Sequence, residues 1–179
     1  MDTVKFIENC LNQVQERLTK SLQGLNQEEL TWRPAPHTNC IVEIVWHVVR
    51  GEDRMAGSLR RQEPEVWESQ QWQNRFGYSD QQLQRTGFQF MRVLGQPPQL
   101  EALLDYMAAV HQDVLSRLRK LSSDDLNQAL DPERPGWNIA TSLRHMITHK
   151  NNHHGQIDFI RGLMQPGWDL PPGTGISQP

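Results

Sequence analysis

The sequence has little cysteine, few aromatic residues, no excess of charge of one sign and no long apolar run. Cys10 and Cys40 are its two cysteines. That number excludes a disulfide framework. The opening "MDTVKFIENC" has no basic-then-apolar secretory pattern, so both read as reduced thiols in a cytoplasmic protein. No apolar stretch approaches the roughly 18 residues of a membrane span. With 18 Lys and Arg against 21 Asp and Glu, the formal net charge is −3. Such a balance supplies no basic field for nucleic acid. Mean hydropathy is −0.68, yet the apolar residues recur at regular spacing. A length of 179 residues suits one domain with a buried core, expected over 1–166, with 167–179 as an irregular tail.

Val4, Ile7, Leu11, Val14, Leu18, Leu22 and Leu25 step by threes and fours, which predicts an amphipathic helix over 4–25. Pro34 and Pro36 interrupt the chain, and Asn39 is the expected cap of the next helix, over 40–61. Residues 64–97 lack a clear period. A short helix over 79–94 is expected there, and Trp67, Trp72 and Phe76 suit either a pocket lining or a satellite core. Beyond Pro98, Leu100, Met107, Val114 and Leu121 repeat every seven residues, as do Leu104, His111 and Leu118. That is a bundle seam. A last helix is predicted over 138–164. The expected architecture is all-α: a four-helix bundle with a long irregular connection between helices two and three. "LQGLNQEEL" at 22–30 is echoed by "LRKLSSDDL" at 118–126. Each precedes a break and then a histidine-bearing helix.

"HMITHKNNHHGQI", residues 145–157, holds four of the seven histidines. His145, His149 and His153 repeat every four residues. A helix rises about 1.5 Å per residue, so neighbours four apart can share one ion whereas His145 and His153 cannot. On a wheel of about 100° per residue, His149 and His153 fall toward the apolar side, with His145 and His154 flanking it. Lys150 interrupts the stripe. A catalytic metal site wants a third protein ligand and an open position. His47, one turn after Glu43, is the best candidate. His111, on the third helix's seam, competes with it, but a hydrogen-bonded core histidine fits that position well. His37 lies in the proline-rich loop. Cys40 is about 10 Å along the axis from His47, too far to share its ion. The spacing alone fits a metal site or a solvated helix face. Glu43 is a candidate to orient His47, while Glu52 and Asp53 read as solvated carboxylates.

The segments "WRPAPHTNCIVEIVWHVVRGEDR" and "HMITHKNNHHGQI" resemble the DinB/YfiT-like superfamily. Its pattern is a Trp-x-Pro-like loop after helix one, a Trp/Leu-His motif on helix two, and His-x3-His followed by Arg-Gly-Gln-Ile on the last helix. Trp32 to Pro36, His47, and His149 with His153, Gly155, Gln156 and Ile157 fill those places. His154 stands where the family usually carries Arg, which is expected to alter the rim or charge of the site. The resemblance spans about residues 4–164. It implies a four-helix bundle, a divalent ion on His47, His149 and His153, and a homodimer.

Members with known activity include thiol S-transferases using low-molecular-weight thiols and a thiol-dependent maleylpyruvate isomerase, and many others are described as metal-dependent hydrolases. The expected protein is therefore a metal-dependent enzyme acting on a small molecule, a hydrolase or a thiol-dependent transferase. Three imidazoles suit Zn²⁺ or Ni²⁺. The reacting group stays open between a water whose pKa falls toward about 7 and a thiolate. The alternative is a non-catalytic, metal-binding dimeric stress protein. Neither nucleic acid nor membrane is an expected partner.

Overall fold

A computed structural model describes residues 2–60, 63–78 and 97–176. Four long helices dominate it: α1 (Thr3–Leu22), α3 (Ile41–Met55), α7 (Leu100–Leu118) and α8 (Ile139–Met164). Short helices fill the connections: α2 (Gln27–Thr31), α4 (Gly57–Arg60), α5 (Val66–Ser69) and α6 (Trp72–Phe76), with a 3₁₀ turn at Asp125–Asn127. The described residues are all-α, with one isolated backbone bridge between Ala129 and Asn138. Each long helix packs on two others: α1 on α8 and α7, and α3 on α8 and α7.

The caps follow from short polar side chains. Asp2 accepts from the Lys5 N–H at 2.7 Å, and Asn138 accepts from the Thr141 N–H at 2.9 Å. Asn26 and Glu29 form a reciprocal capping box on α2. The cap of α3 is Cys40, not the expected Asn39. Its backbone N–H donates to Glu43 Oε2 at 3.0 Å, so the reciprocal carboxylate at the third helical position fixes the start. The predicted 40–61 helix is divided at Ala56 into α3 and α4.

Two apolar clusters make up the core. One joins Leu11, Val114, Leu118, Leu143 and Met146 across α1, α7 and α8. The other joins Ile44, Val48, Leu103, Tyr106 and Ile157 with Trp46, Trp67 and Trp72. Trp46 meets Trp67 and Phe76 edge-on at 5.3 and 5.4 Å, geometries that aromatic quadrupoles favour. Trp67 and Trp72 are 5% and 2% exposed. They are therefore core residues of the main cluster, and the pocket-lining reading of Trp67, Trp72 and Phe76 is corrected. Part of the connection expected to be irregular is also ordered as α5 and α6. The helix expected over 79–94 lies outside the described residues.

Glu52 and Asp53 overturn the expectation of solvated carboxylates. Both are buried, because each finds a cation or donors inside the fold. Glu52 accepts from Lys150 Nζ at 2.6 Å, with both side chains nearly inaccessible. Asp53 accepts from the Val66 and Trp67 N–H groups at 3.0 and 2.9 Å and from the Tyr106 hydroxyl at 2.6 Å. Arg60 pairs with the same carboxylate at 2.6 Å. Asp53 thus fastens the start of α5, and with it the tryptophan cluster, to α3 and α7.

The Glu52–Lys150 pair yields a stability prediction. Breaking a buried pair from one side leaves an uncompensated charge and costs about 3–5 kcal/mol, whereas replacing both partners by apolar groups is far milder. Lys150→Met is expected to lose about that much in urea unfolding, and Glu52→Leu with Lys150→Met to recover most of it. A double variant as unstable as the single one would contradict this account.

Candidate metal centre

α3 and α8 meet along a seam that brings three histidines together. His47 comes from α3, and His149 and His153 from successive turns of α8. One ring nitrogen of each lies within 4.8 Å of the others, and all three rings are half-buried. His47 Nε2 and His149 Nε2 are 3.0 Å apart. The ring centroids are 4.9 Å apart for His47–His149, 4.8 Å for His47–His153 and 4.6 Å for His149–His153.

The apolar stripe of α8 turns inward as the helical wheel suggested, with Leu143, Met146, Ile157 and Ile160 buried, but the buried face is centred further toward Lys150 and His154. Lys150 and His154 are buried, at 1% and 6% exposure, while His149 and His153 sit at the half-open seam with α3. The wheel weighed apolar residues only. In the fold, Lys150 turns inward because Glu52 receives it, and His154 because Ser21 and Asp158 do. His154 Nε2 lies 3.0 Å from Ser21 Oγ on α1. It therefore faces α1, and the expected effect on the rim or charge of the site is corrected.

His145 is exposed, with its ring 5.8 Å from that of His149, and it stays outside the trio. His111 is a buried core histidine. Its Nε2 is 3.0 Å from Asn12 Oδ1, and its Nδ1 is 4.0 Å from Glu52 Oε1. Burial, then the Lys150 and Arg119 charges, push its pKa down to about 3. His37 lies in the loop after α2, by a groove that it shares with Asn152, Gln156 and Phe159. Cys40 is buried at the start of α3 and lies outside the trio.

Glu43, the candidate to orient His47, is held by Arg33 through both oxygens at 2.6 and 2.5 Å and by the Cys40 N–H. These contacts fix the loop and the start of α3. Two further positions matter that the histidine spacing did not reveal. Gln156 Oε1 lies 2.9 Å from His153 Nδ1. With the amide oxygen accepting, Nδ1 carries the hydrogen and Nε2 keeps its lone pair. The i,i+3 spacing of His153 and Gln156 was the available signal. Gly51 is the other. A Cβ there would lie 3.2 Å from His149 Cε1, so the missing side chain makes room for that ring one turn after His47.

The electrostatics favour ligation. Burial first, then the charges of His153 and Arg54, push the His47 pKa down to about 4. Burial, then the charges of His153, His47 and His145, push His149 down to about 4 as well. Both rings are therefore neutral near pH 7, the form that binds a metal. The donor set also fits the group. Nitrogens about 2.0–2.1 Å from a tetrahedral ion lie about 3.3–3.4 Å apart. The observed atoms bracket that spacing, so small side-chain adjustments suffice. No carboxylate belongs to the trio, as suits a borderline ion on imidazole.

Comparison with known proteins places the fold and the family. A crystal structure described as the conserved protein of a locus from Enterococcus faecalis has the same fold. Its TM-score is 0.77 at 21% identity, over 91% of this chain and 97% of that one. No curated protein matches the sequence. The model of the DinB superfamily matches residues 11–157, which include His47, His149 and His153. The chain belongs to the DinB superfamily.

Proposed function

We propose that this protein is a metal-dependent enzyme built as a four-helix bundle, in which His47, His149 and His153 hold one divalent ion, Zn²⁺ or Ni²⁺. The observation that carries this reading is the meeting of three imidazoles from two helices, half-open to solvent. Three protein ligands on an accessible seam leave a coordination position for a small molecule, the pattern of catalytic rather than structural sites. A bound ion supplies Lewis acidity, which lowers the pKa of a water or a thiol at that position. Hydrolysis and thiol-dependent transfer are the two reactions this supports. The chain's own part is to present unprotonated nitrogens, to orient His153 through Gln156 and to keep space for His149 at Gly51.

His47→Ala, His149→Ala and His153→Ala are each expected to lower metal occupancy sharply in elemental analysis of untagged protein, while His145→Ala retains it. An empty site in the His145 variant beside a full one in the His153 variant would reverse the ligand assignment.

The apolar clusters supply a core that does not depend on the ion. Chelation is therefore expected to leave the helical circular dichroism nearly intact and to lower the melting temperature moderately, a change of a few kcal/mol by mass action. Loss of most of the helical signal would make the metal structural and favour the non-catalytic alternative.

We further propose that the protein is a homodimer. Phe159 and Leu163, one turn apart on α8, are 67% and 50% exposed, an apolar patch that association would cover. Light scattering is expected to give twice the chain mass, and a monomer at every accessible concentration would exclude it.

A further inference from the structure

Arg54 lies two turns after His47 on α3, about 10 Å along the axis and on the same face. Gly51 stands between them with no side chain to obstruct the path. Arg54 is exposed, and among the described residues no carboxylate pairs with it. Its neighbours differ: Arg50 is matched by Asp53 and Glu65, Arg60 by Asp53 and Asp113, and Lys150 by Glu52.

Arg54 lines a cavity of about 560 Å³ between the end of α3 and the start of α8, together with Ser58, Gln128, Trp137 and Ser142. The cavity lining is mixed: Arg54, Ser58, Gln128 and Ser142 are polar, and Trp137, Leu130 and Ile139 are apolar. Trp137 is 38% exposed. Its ring is 6.5 Å from that of His145, which is 5.8 Å from that of His149. A chain of aromatic rings therefore connects the cavity to the trio. A divalent ion on three neutral imidazoles keeps its full charge, and the free guanidinium adds another positive charge on the same side. Such a field selects anions, and guanidinium is matched in shape to carboxylate.

We propose that this cavity is the substrate subsite, and that it binds the carboxylate end of a small, flat, anionic molecule, with Arg54 holding the carboxylate and Trp137 packing on the flat body. The proposal rests on the metal-enzyme reading for its role in a reaction, but the binding it asserts belongs to Arg54 and Trp137 alone. Arg54 is thus a specificity-determining residue. Among the described residues no carboxylate pairs with it, and the amide of Gln128 is the further polar group at hand, while the Ser58 hydroxyl already donates to the Met55 carbonyl.

The test is calorimetric titration of the zinc-loaded and metal-free protein with benzoate, its neutral isostere benzamide, and acetate. In both forms benzoate is expected to bind about tenfold or more tighter than benzamide, the scale of a charge-assisted hydrogen bond. Arg54→Gln is expected to bring the two within about twofold while retaining zinc and helical signal. Trp137→Ala is expected to bring benzoate toward acetate. Equal binding of benzoate and benzamide to the metal-free wild type, or a preference that survives Arg54→Gln, overturns the proposal. The metal-free titration separates it from the reading it extends. If zinc fails to bind but the carboxylate preference holds, the metal assignment falls and the anion subsite stands. If zinc binds and the preference is absent, the subsite falls.

Discussion

Glu52 and Lys150 form an ion pair with almost no access to water, and the register of α3 against α8 depends on it. An ammonium and a carboxylate removed from water are tolerated only together. Sliding one helix along the other by a turn would separate them. Each partner adjoins the site in sequence: Gly51 precedes Glu52, and His149 precedes Lys150. The pairing that joins the helices therefore also sets the His149 ring over Gly51 and within 3.0 Å of His47. A weaker constraint would leave three imidazoles on mobile helices, and a metal site needs its ligands held in place.

Asp53, the next residue, does comparable work in the opposite direction. Its carboxylate gathers Arg60, Tyr106 and the first N–H groups of α5, and so holds the tryptophan cluster against α3 and α7. Consecutive carboxylates on one helix thus fasten two different neighbours. Most cations around the seam are spent on such pairs, and this is what distinguishes Arg54. A ligand set without a carboxylate, and a guanidinium that no carboxylate of the described residues pairs with, give the open side of the seam a positive character that the net charge of −3 conceals.

The two echoing segments acquire a structural meaning. Each begins where a long helix ends, and each runs into a short turn of helix: α2 in one and the 3₁₀ turn in the other. Leu30 and Leu126, the last residues of the echo, are both buried. Each leads through a break into a histidine-bearing helix, α3 or α8. The trio forms where those two helices meet.

The sequence by itself determined the helical class, the four long helices, the end of α8 near Pro166 and the identity of the three histidines. Apolar periodicity and i,i+4 spacing are local properties, and motif resemblance adds the partner helix. Only the tertiary structure decided that Lys150 and His154 join the buried face of α8. A wheel ranks residues by their own hydropathy, whereas Lys150 and His154 are buried against partners on other helices, Glu52 and Ser21, more than ninety residues away in the chain, with Asp158 also beside His154. For the same reason Glu52 and Asp53 read as surface carboxylates and proved to be the fastenings of the core. The roles of Gly51, Gln156 and Arg54 likewise come from distances between elements, which no single helix encodes.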